Sequence, residues 1–122
     1  MNYKITGRVV KGDGYGRKIG FPTANLDRRA FSLLAKKPAL GVYSGYVRLS
    51  DDRVYKAGIV IGPEDNIGLP KLEAHLIGFD GDLYDQKITF EIEKFIRKFQ
   101  NFKTEKELIE QIKKDLKECL RV

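Results

Sequence analysis

The sequence lacks the features that mark several classes of protein. It has no tryptophan and a single cysteine, Cys119, so an internal disulfide is excluded and a reducing compartment is compatible with the chain. No apolar run is long enough to span a bilayer, and the N-terminus lacks the apolar core of a signal peptide. We therefore expect a cytoplasmic protein with no membrane partner.

The composition is neither poor in apolar residues nor extreme in charge. Hydrophobic residues make up 42% of the 122 residues and charged residues 33%, which argues against disorder. This length suits one core, so we expect residues 1–122 to form one domain, and we take the protein as a monomer. The net charge of +6 favours anionic partners, but no long cationic tract points to nucleic acid.

Local signals along the chain predict mainly β structure. β-branched, Val-rich and Tyr-rich stretches predict strands at 3–10, 41–49 and 54–61, and alternation of apolar and polar residues predicts two more, around 72–77 and 87–93. Turns are predicted at 51–52 and at 80–82, where Asp-Gly-Asp is typical of a hairpin, and a loop is predicted at 62–70. Residues 27–35 are either a short helix with Asp27 as its N-cap or part of an ordered loop.

The last element is predicted to be an amphipathic helix of about four turns. Thr104 and Glu107 form a capping box at its start. Its apolar stripe recurs at helical spacing and consists of Leu108, Ile109, Ile112, Leu116 and Leu120. Packing of this stripe on a sheet is the simpler interpretation, and binding to a membrane surface is the alternative. Short strands, Gly-rich turns and one terminal helix together predict a small antiparallel barrel capped by a helix.

The stretch 12–26 is the most informative for function. Its glycines let the backbone approach a ligand closely, and Arg17 and Lys18 add cations suited to phosphate oxygens. These glycines are Gly12, Gly14, Gly16 and Gly20. If the segment is extended, the neutral oxygens of Thr23 and Asn25 share one face and suit Mg²⁺. The spacing fits neither a P-loop nor the dinucleotide fingerprint. The stretch is therefore either a nucleotide site of another kind or a basic, glycine-rich hairpin turn.

Short motifs recur in a fixed order along nearly the whole chain. They are Gly-Arg-Val-Val-Lys-Gly at 7–12, Gly-Phe-Pro-Thr-Ala-Asn at 20–25, Gly-Val-Tyr at 41–43, Leu-Glu-Ala-His-Leu-Ile at 72–77, Asp-Leu-Tyr at 82–84, Ile-Arg at 96–97, and Phe102 before Thr-Glu-Lys-Glu-Leu. In this order and spacing the sequence resembles the riboflavin kinase (flavokinase) family.

The resemblance implies a six-stranded antiparallel Greek-key β-barrel with a C-terminal helix. It implies transfer of the γ-phosphate of ATP to the 5′-hydroxyl of riboflavin, giving FMN and ADP. By that likeness Thr23 and Asn25 hold Mg²⁺ and Glu73 is the catalytic carboxylate. The nucleotide side comprises Gly12, Gly14, Gly16, Arg17, Lys18, Gly20 and Tyr84, and the flavin side comprises Arg97, Gln100 and Phe102.

The sequence departs from the family pattern at four places. The loop at 62–70 lacks the usual Pro-Thr-Phe, and Lys98, Phe99 and Gln100 stand where the family prefers Pro-Glu-Lys after Arg97. Asp85 stands where the family has glycine after Asp-Leu-Tyr, which puts a carboxylate near the expected nucleotide edge. Val60 and Ile61 replace an asparagine that is common in the strand before the loop at 62.

Each assignment also has a plainer alternative. Glu73 on a half-exposed strand is otherwise an ordinary surface carboxylate, and Arg97 otherwise belongs to a solvated run of charges with Lys94 and Lys98. His75 lies on the same strand face as Glu73 and is left out of the site, since a lone histidine is more often structural.

We expect a stand-alone kinase that stops at FMN, because nothing in the chain matches the adenylyltransferase that bacterial relatives carry. The first rival is a non-catalytic barrel that binds flavin or nucleotide. The second is a basic barrel that binds single-stranded nucleic acid by stacking bases on Tyr43, Tyr46 and Tyr55.

Overall fold

The strands of the chain close into one antiparallel barrel, seen in a computed structural model that describes residues 2–121. The strands are β1 Tyr3–Val10, β2 Ala24–Leu26, β3 Gly41–Arg48, β4 Val54–Glu64, β5 Pro70–Leu76 and β6 Lys87–Arg97. The helices are the single turns α1 Tyr15–Lys18 and α2 Arg29–Ser32, and the long α3 Glu105–Leu120. Within residues 2–121, none of these helices has the length and apolarity needed to cross a membrane.

The strand order around the barrel is β1-β2-β5-β4-β3-β6, with β6 closing against β1. The strands β3, β4 and β5 are neighbours in sequence and in space, whereas β2 and β6 each pair with strands distant in the chain. The predicted six-stranded Greek-key barrel with a C-terminal helix is confirmed.

Apolar side chains fill the interior of the barrel. Alternate residues of each strand point inward, and several of them are completely shielded from solvent. Among the fully buried side chains are Ile5, Val47, Ile59, Ile61 and Phe90. Because the interior of a small barrel is packed in this way, a ligand has to bind on the outside of the wall or at its ends.

The predicted hairpin at Asp80-Gly81-Asp82 is wrong. Strand β5 pairs with β2 and β4, and β6 pairs with β1 and β3, so the connection that contains 80–82 joins strands that are not neighbours. Leu83 from this connection is buried in the barrel core. The Asp-Gly-Asp chemistry specifies a local reversal of the chain, but it does not specify which strands pair on either side of it.

Two further boundaries differ from the prediction. The loop predicted at 62–70 is shorter, because β4 continues to Glu64 and Asp65 then organises a tight turn by accepting the N–H groups of Ile67 and Leu69. The helix predicted at 27–35 is the single turn α2, with Arg28 rather than Asp27 at the N-cap position. The Asp27 carboxylate nevertheless accepts the Arg29 N–H at 3.0 Å, so it satisfies one free donor of that turn.

The helix α3 lies against the outside of β3 and β4. One half of the predicted capping box is present among the described hydrogen bonds: Thr104 Oγ1 accepts the Glu107 N–H at 3.1 Å. The predicted apolar stripe is only half-buried and Leu120 is 50% exposed, whereas Asp115 and Cys119 are buried. Burial, with a smaller contribution from the Asp115 charge, raises the pKa of the Cys119 thiol to about 11.

Candidate functional site

The pairing of β2 with β5 brings the predicted metal ligands and the predicted catalytic carboxylate together. Ala24 and Leu26 are buried in the core, so the alternate residues Thr23 and Asn25 project outward. Asn25 lies directly opposite Glu73 in the strand register, and the Thr23 hydroxyl donates to Glu73 Oε2 at 3.2 Å. All three polar side chains therefore converge on one part of the outer wall.

The glycine loop before β2 packs tightly against this cluster. A Cβ atom at Gly12 would lie only 2.7 Å from Asn25 Cγ, and one at Gly16 would overlap the carbonyl oxygen of Phe21. The Phe21 N–H donates to the Gly16 carbonyl at 2.7 Å, which closes the loop that α1 begins. These two glycines are thus required by close approach to the chain's own Asn25 and Phe21, whereas from the sequence we expect them to lie close to a ligand.

A smaller cavity of about 370 Å³ lies on one side of the cluster. The predicted nucleotide-side residues Gly12, Gly14, Arg17 and Tyr84 line it, together with Thr23 and Asn25. The connection from β5 to β6 forms its far wall. The structure therefore gathers most of the predicted nucleotide residues around the two predicted metal ligands.

A larger cavity of about 530 Å³ lies on the other side. Glu73 lines it with the three predicted flavin-side residues Arg97, Gln100 and Phe102. Thr23 lines both cavities, so it stands at the boundary between them. Glu73, whose side chain is 20% exposed and bonded to Thr23, is not an ordinary surface carboxylate.

Three predicted nucleotide residues lie elsewhere. Gly16 lines the larger cavity, and in the described part of the chain Lys18 and Gly20 line neither cavity. Arg17 is therefore the cation of the predicted Arg17–Lys18 pair that faces the smaller cavity, and Lys11 lies nearby with its ammonium 5.6 Å from the centre of the Tyr84 ring.

Arg97 is held by a buried ion pair with Asp115 of α3. Its Nε lies 3.1 Å from both carboxylate oxygens, and its Nη2 lies 2.9 Å from Oδ2. Gln111 donates to the same carboxylate at 3.0 Å. The guanidinium also lies over the Phe102 ring, 5.8 Å from its centre. Arg97 is thus not part of a solvated run of charges, and it lines the larger cavity as a group already neutralised by the helix.

Lys71, another cation that lines the larger cavity, was not identified from the sequence. Lys71 Nζ lies 3.6 Å from Glu73 Oε2 and 3.4 Å from Asp13 Oδ2. A hydrogen bond from the Tyr15 N–H, and then the charge of Lys71, hold the pKa of the Asp13 carboxyl below its usual value. The spacing of two residues between Lys71 and Glu73 on one strand was the available signal, since it places both side chains on the same face.

The departures from the family pattern at Asp85 and at Val60 and Ile61 have simple structural consequences. Asp85 has a φ of 66°, a backbone conformation that suits glycine and that Asp tolerates better than most residues. Its carboxylate faces Arg8 at 3.4 Å and does not line the smaller cavity, whereas Asp80 and Asp82 of the same connection do. Val60 lies opposite Glu73 and gives the larger cavity an apolar wall, whereas Ile61 belongs to the core.

His75, which the sequence analysis leaves out of the site, lines the larger cavity and also makes contacts within the wall of the barrel. Its Nδ1–H donates to the Pro22 carbonyl at 2.7 Å, and its ring meets Phe21 edge-on with 5.8 Å between ring centres. These contacts attach the residues just before β2 to β5, next to Thr23 and Glu73.

Comparisons with known proteins identify the family and the fold of the chain. The family model described as Flavokinase: Riboflavin kinase matches residues 1–122. The bifunctional riboflavin kinase/FMN adenylyltransferase of Bacillus subtilis (strain 168) is 36% identical over 124 residues, which cover 98% of this chain and 38% of that protein. The protein of the same name from Escherichia coli (strain K12) is 38% identical over 116 residues, covering 93% and 36%.

The chain thus spans little more than a third of the length of these two curated relatives. The crystal structure of riboflavin kinase from Trypanosoma brucei superposes with a TM-score of 0.69 at 23% identity. That superposition covers 97% of this chain and 77% of the other, and it shows a shared fold.

Proposed function

The chain belongs to the riboflavin kinase family, and from that premise we propose that it transfers the γ-phosphate of ATP to the 5′-hydroxyl of riboflavin, giving FMN and ADP. The observation that carries the proposal is the convergence of Thr23, Asn25 and Glu73 at the boundary between two cavities. Phosphoryl transfer is mostly a matter of positioning, and it needs a donor and an acceptor that meet at one point.

ATP is assigned to the smaller cavity and riboflavin to the larger one. Arg17 and the backbone of the glycine loop supply the positive charge and the N–H groups that phosphates require. The larger cavity has the apolar wall of Val60 and the aromatic ring of Phe102 for a flat tricyclic ring, and Gln100 offers an amide to its polar edge.

Glu73 accepts the proton of the 5′-hydroxyl as the new bond forms between that oxygen and the γ-phosphorus. The bond between the γ-phosphorus and the bridging oxygen breaks at the same time, and ADP leaves with the electron pair. The Thr23 hydroxyl fixes the carboxylate by donating to Oε2, so one Glu73 oxygen is held and the other remains for the substrate. A primary alcohol is a weak acid, so the proton moves late in the step.

Magnesium is assigned to Thr23 Oγ1 and the Asn25 side-chain oxygen. The residues fit this ion because both are neutral oxygen donors on the same outward face, and both line the smaller cavity. When bound, Mg²⁺ neutralises charge on the phosphate oxygens. We further assign the reaction to a monomer, since a single chain supplies the walls of both cavities, and to the cytoplasm, where the one cysteine, Cys119, would stay reduced.

The test is to incubate the purified chain with riboflavin, ATP and Mg²⁺ and to follow FMN and ADP by chromatography. FMN and ADP in equal amounts are expected, and parallel reactions with CTP and GTP report the choice of donor. Binding of riboflavin and ATP without any product would overturn the kinase proposal in favour of the non-catalytic barrel. The nucleic-acid alternative loses one stacking position, because Tyr43 is buried and its hydroxyl donates to the Ala39 carbonyl.

A further inference from the structure

The cations that line the larger cavity differ in how firmly they are held. Arg97 makes three contacts of 2.9–3.1 Å to one buried carboxylate. Lys103 is exposed at the rim, just before α3. Lys71 is 24% exposed and lies deeper in the wall, on the strand that carries Glu73.

The ammonium of Lys71 is shared loosely between two carboxylates. Its distances of 3.4 Å to Asp13 and 3.6 Å to Glu73 exceed the roughly 2.7–2.9 Å typical of strong charge-assisted hydrogen bonds. A lysine side chain is a flexible four-carbon stem with a compact charge at its end, so it exchanges partners at little cost. Lys71 is therefore the partly buried cation of the larger cavity that is free to bind an incoming anion.

Lys71 also stands where such an anion would arise. Its ammonium is 3.6 Å from the Glu73 carboxylate, and that carboxylate is the group assigned to the acceptor hydroxyl. After transfer, a phosphate dianion occupies the position where riboflavin has only a neutral hydroxyl. A charge at this point therefore acts on FMN and barely on riboflavin.

We infer that Lys71 is a specificity-determining residue that contacts the transferred phosphoryl group and so makes the site bind FMN more tightly than riboflavin. This inference rests on the proposed function. Without phosphate, Lys71 is shared by Asp13 and Glu73; with phosphate, it leaves these carboxylates for the phosphate oxygens. Asp13 competes with the phosphate for the same ammonium, so the two carboxylates and the lysine set how readily the product departs.

The test compares the affinities for FMN and for riboflavin by isothermal titration calorimetry, in EDTA so that no divalent cation bridges to the phosphate. Lys71→Met removes the charge and keeps the length of the side chain. Lys71→Arg keeps the charge, Asp13→Asn removes the competing carboxylate, and Lys113→Met removes an exposed lysine of α3 as the matched control.

In Lys71→Met the Kd for FMN is expected to rise about tenfold, the value of one hydrogen bond between charged groups, with the Kd for riboflavin unchanged within about twofold. Lys71→Arg should restore most of the FMN affinity, Asp13→Asn should tighten FMN binding, and Lys113→Met should change neither affinity.

Two outcomes would overturn the inference while the kinase activity stands. If Lys71→Met weakens the binding of FMN and of riboflavin equally, the lysine is purely structural. If Lys71→Met and Lys113→Met lose FMN affinity equally, the effect is one of general charge. A wild-type protein that binds neither flavin would overturn the proposed function itself, and the role of Lys71 with it.

Discussion

Replacement of Asp115 by asparagine tests what the buried ion pair with Arg97 contributes to folding. The substitution keeps the shape of the side chain and its position on α3 but removes the charge. The Arg97 guanidinium then remains in a site where its side chain is 18% exposed, facing a neutral amide instead of a carboxylate.

The magnitude follows from the burial and the number of contacts. Loss of one hydrogen bond to a charged group costs about 1.5–3 kcal/mol, and removal of one partner of a fully buried pair costs about 3–5 kcal/mol. The pair is 8% exposed on the Asp115 side and somewhat more on the Arg97 side, so solvent relieves part of the penalty. We expect the free energy of unfolding to fall by about 2–4 kcal/mol, which is a large fraction of the roughly 5–15 kcal/mol of a typical domain.

The assay is urea unfolding followed by far-UV circular dichroism, because the chain has no tryptophan for fluorescence. With a urea dependence of about 2 kcal/mol per molar, the middle of the usual range, the midpoint should fall by roughly 1–2 M. Glu118→Gln is the matched control on the same helix, since Glu118 is 37% exposed in its contacts with Lys94 and Arg121, and its loss should cost less than about 0.5 kcal/mol.

A double variant tests whether the loss of stability comes from leaving one buried charge without its partner. Arg97→Met combined with Asp115→Leu removes both charges together, so it should recover most of the stability that Asp115→Asn loses. The reasoning is refuted if Asp115→Asn unfolds at the same urea concentration as Glu118→Gln.

Four further substitutions, one of them a control, test individual contacts of the site and the fold. Gly12→Ala should displace the Asn25 amide by about 1 Å and lower kcat on the order of 100-fold, with an unchanged melting temperature. Gly68→Ala is the control, because Gly68 has a φ of +84° and open space around it. This substitution should lower the melting temperature and leave kcat unchanged. Asn25→Ala should raise the Mg²⁺ concentration needed for half-maximal turnover while the Kd for riboflavin stays the same; an unchanged Mg²⁺ dependence would remove Asn25 from the metal site. The side chain and then the N–H of Arg29 lower the Asp27 pKa to about 2 from 3.8, so this carboxylate stabilises the fold above pH 4 and loses that effect as the pH falls towards 2. The stability difference between wild type and Asp27→Asn should therefore close between pH 4 and pH 2 in urea titrations, and a gap that stays constant would contradict the assignment.

Five of the six strands were predictable because each one carries its own evidence, whereas the three residues of β2 were considered only under the condition that their segment is extended. Ile88, Phe90 and Ile92 alternate with polar residues, and the same alternation buries them in β6. The pairing of strands is not local. The turn signal at 80–82 was therefore taken for a hairpin, although the strands on either side of it do not pair with each other. The Greek-key order came from the resemblance to a family and not from the residues of any one strand.

The same distinction applies to the site: residues in short motifs were predictable from the sequence, and contacts between distant residues were not. The Thr-Ala-Asn run and the strand glutamate are short motifs, and the structure brings Thr23, Asn25 and Glu73 together as the sequence predicted. The partner of Lys71 on the glycine loop is 58 residues away, and no periodicity connects them. Arg97 was assigned to the flavin side without its buried partner Asp115, because only the packing of α3 on the barrel reveals that pair.

The measurement that tests the account most directly is the rate of FMN formation by Glu73→Gln. Glutamine keeps an oxygen to accept the Thr23 hydroxyl but cannot take up the proton of the 5′-hydroxyl. With the far-UV spectrum and the Kd for riboflavin unchanged, kcat is predicted to fall by about 10²–10⁴-fold. A kcat equal to that of the wild type would contradict the assignment of Glu73 and the active cleft built around it.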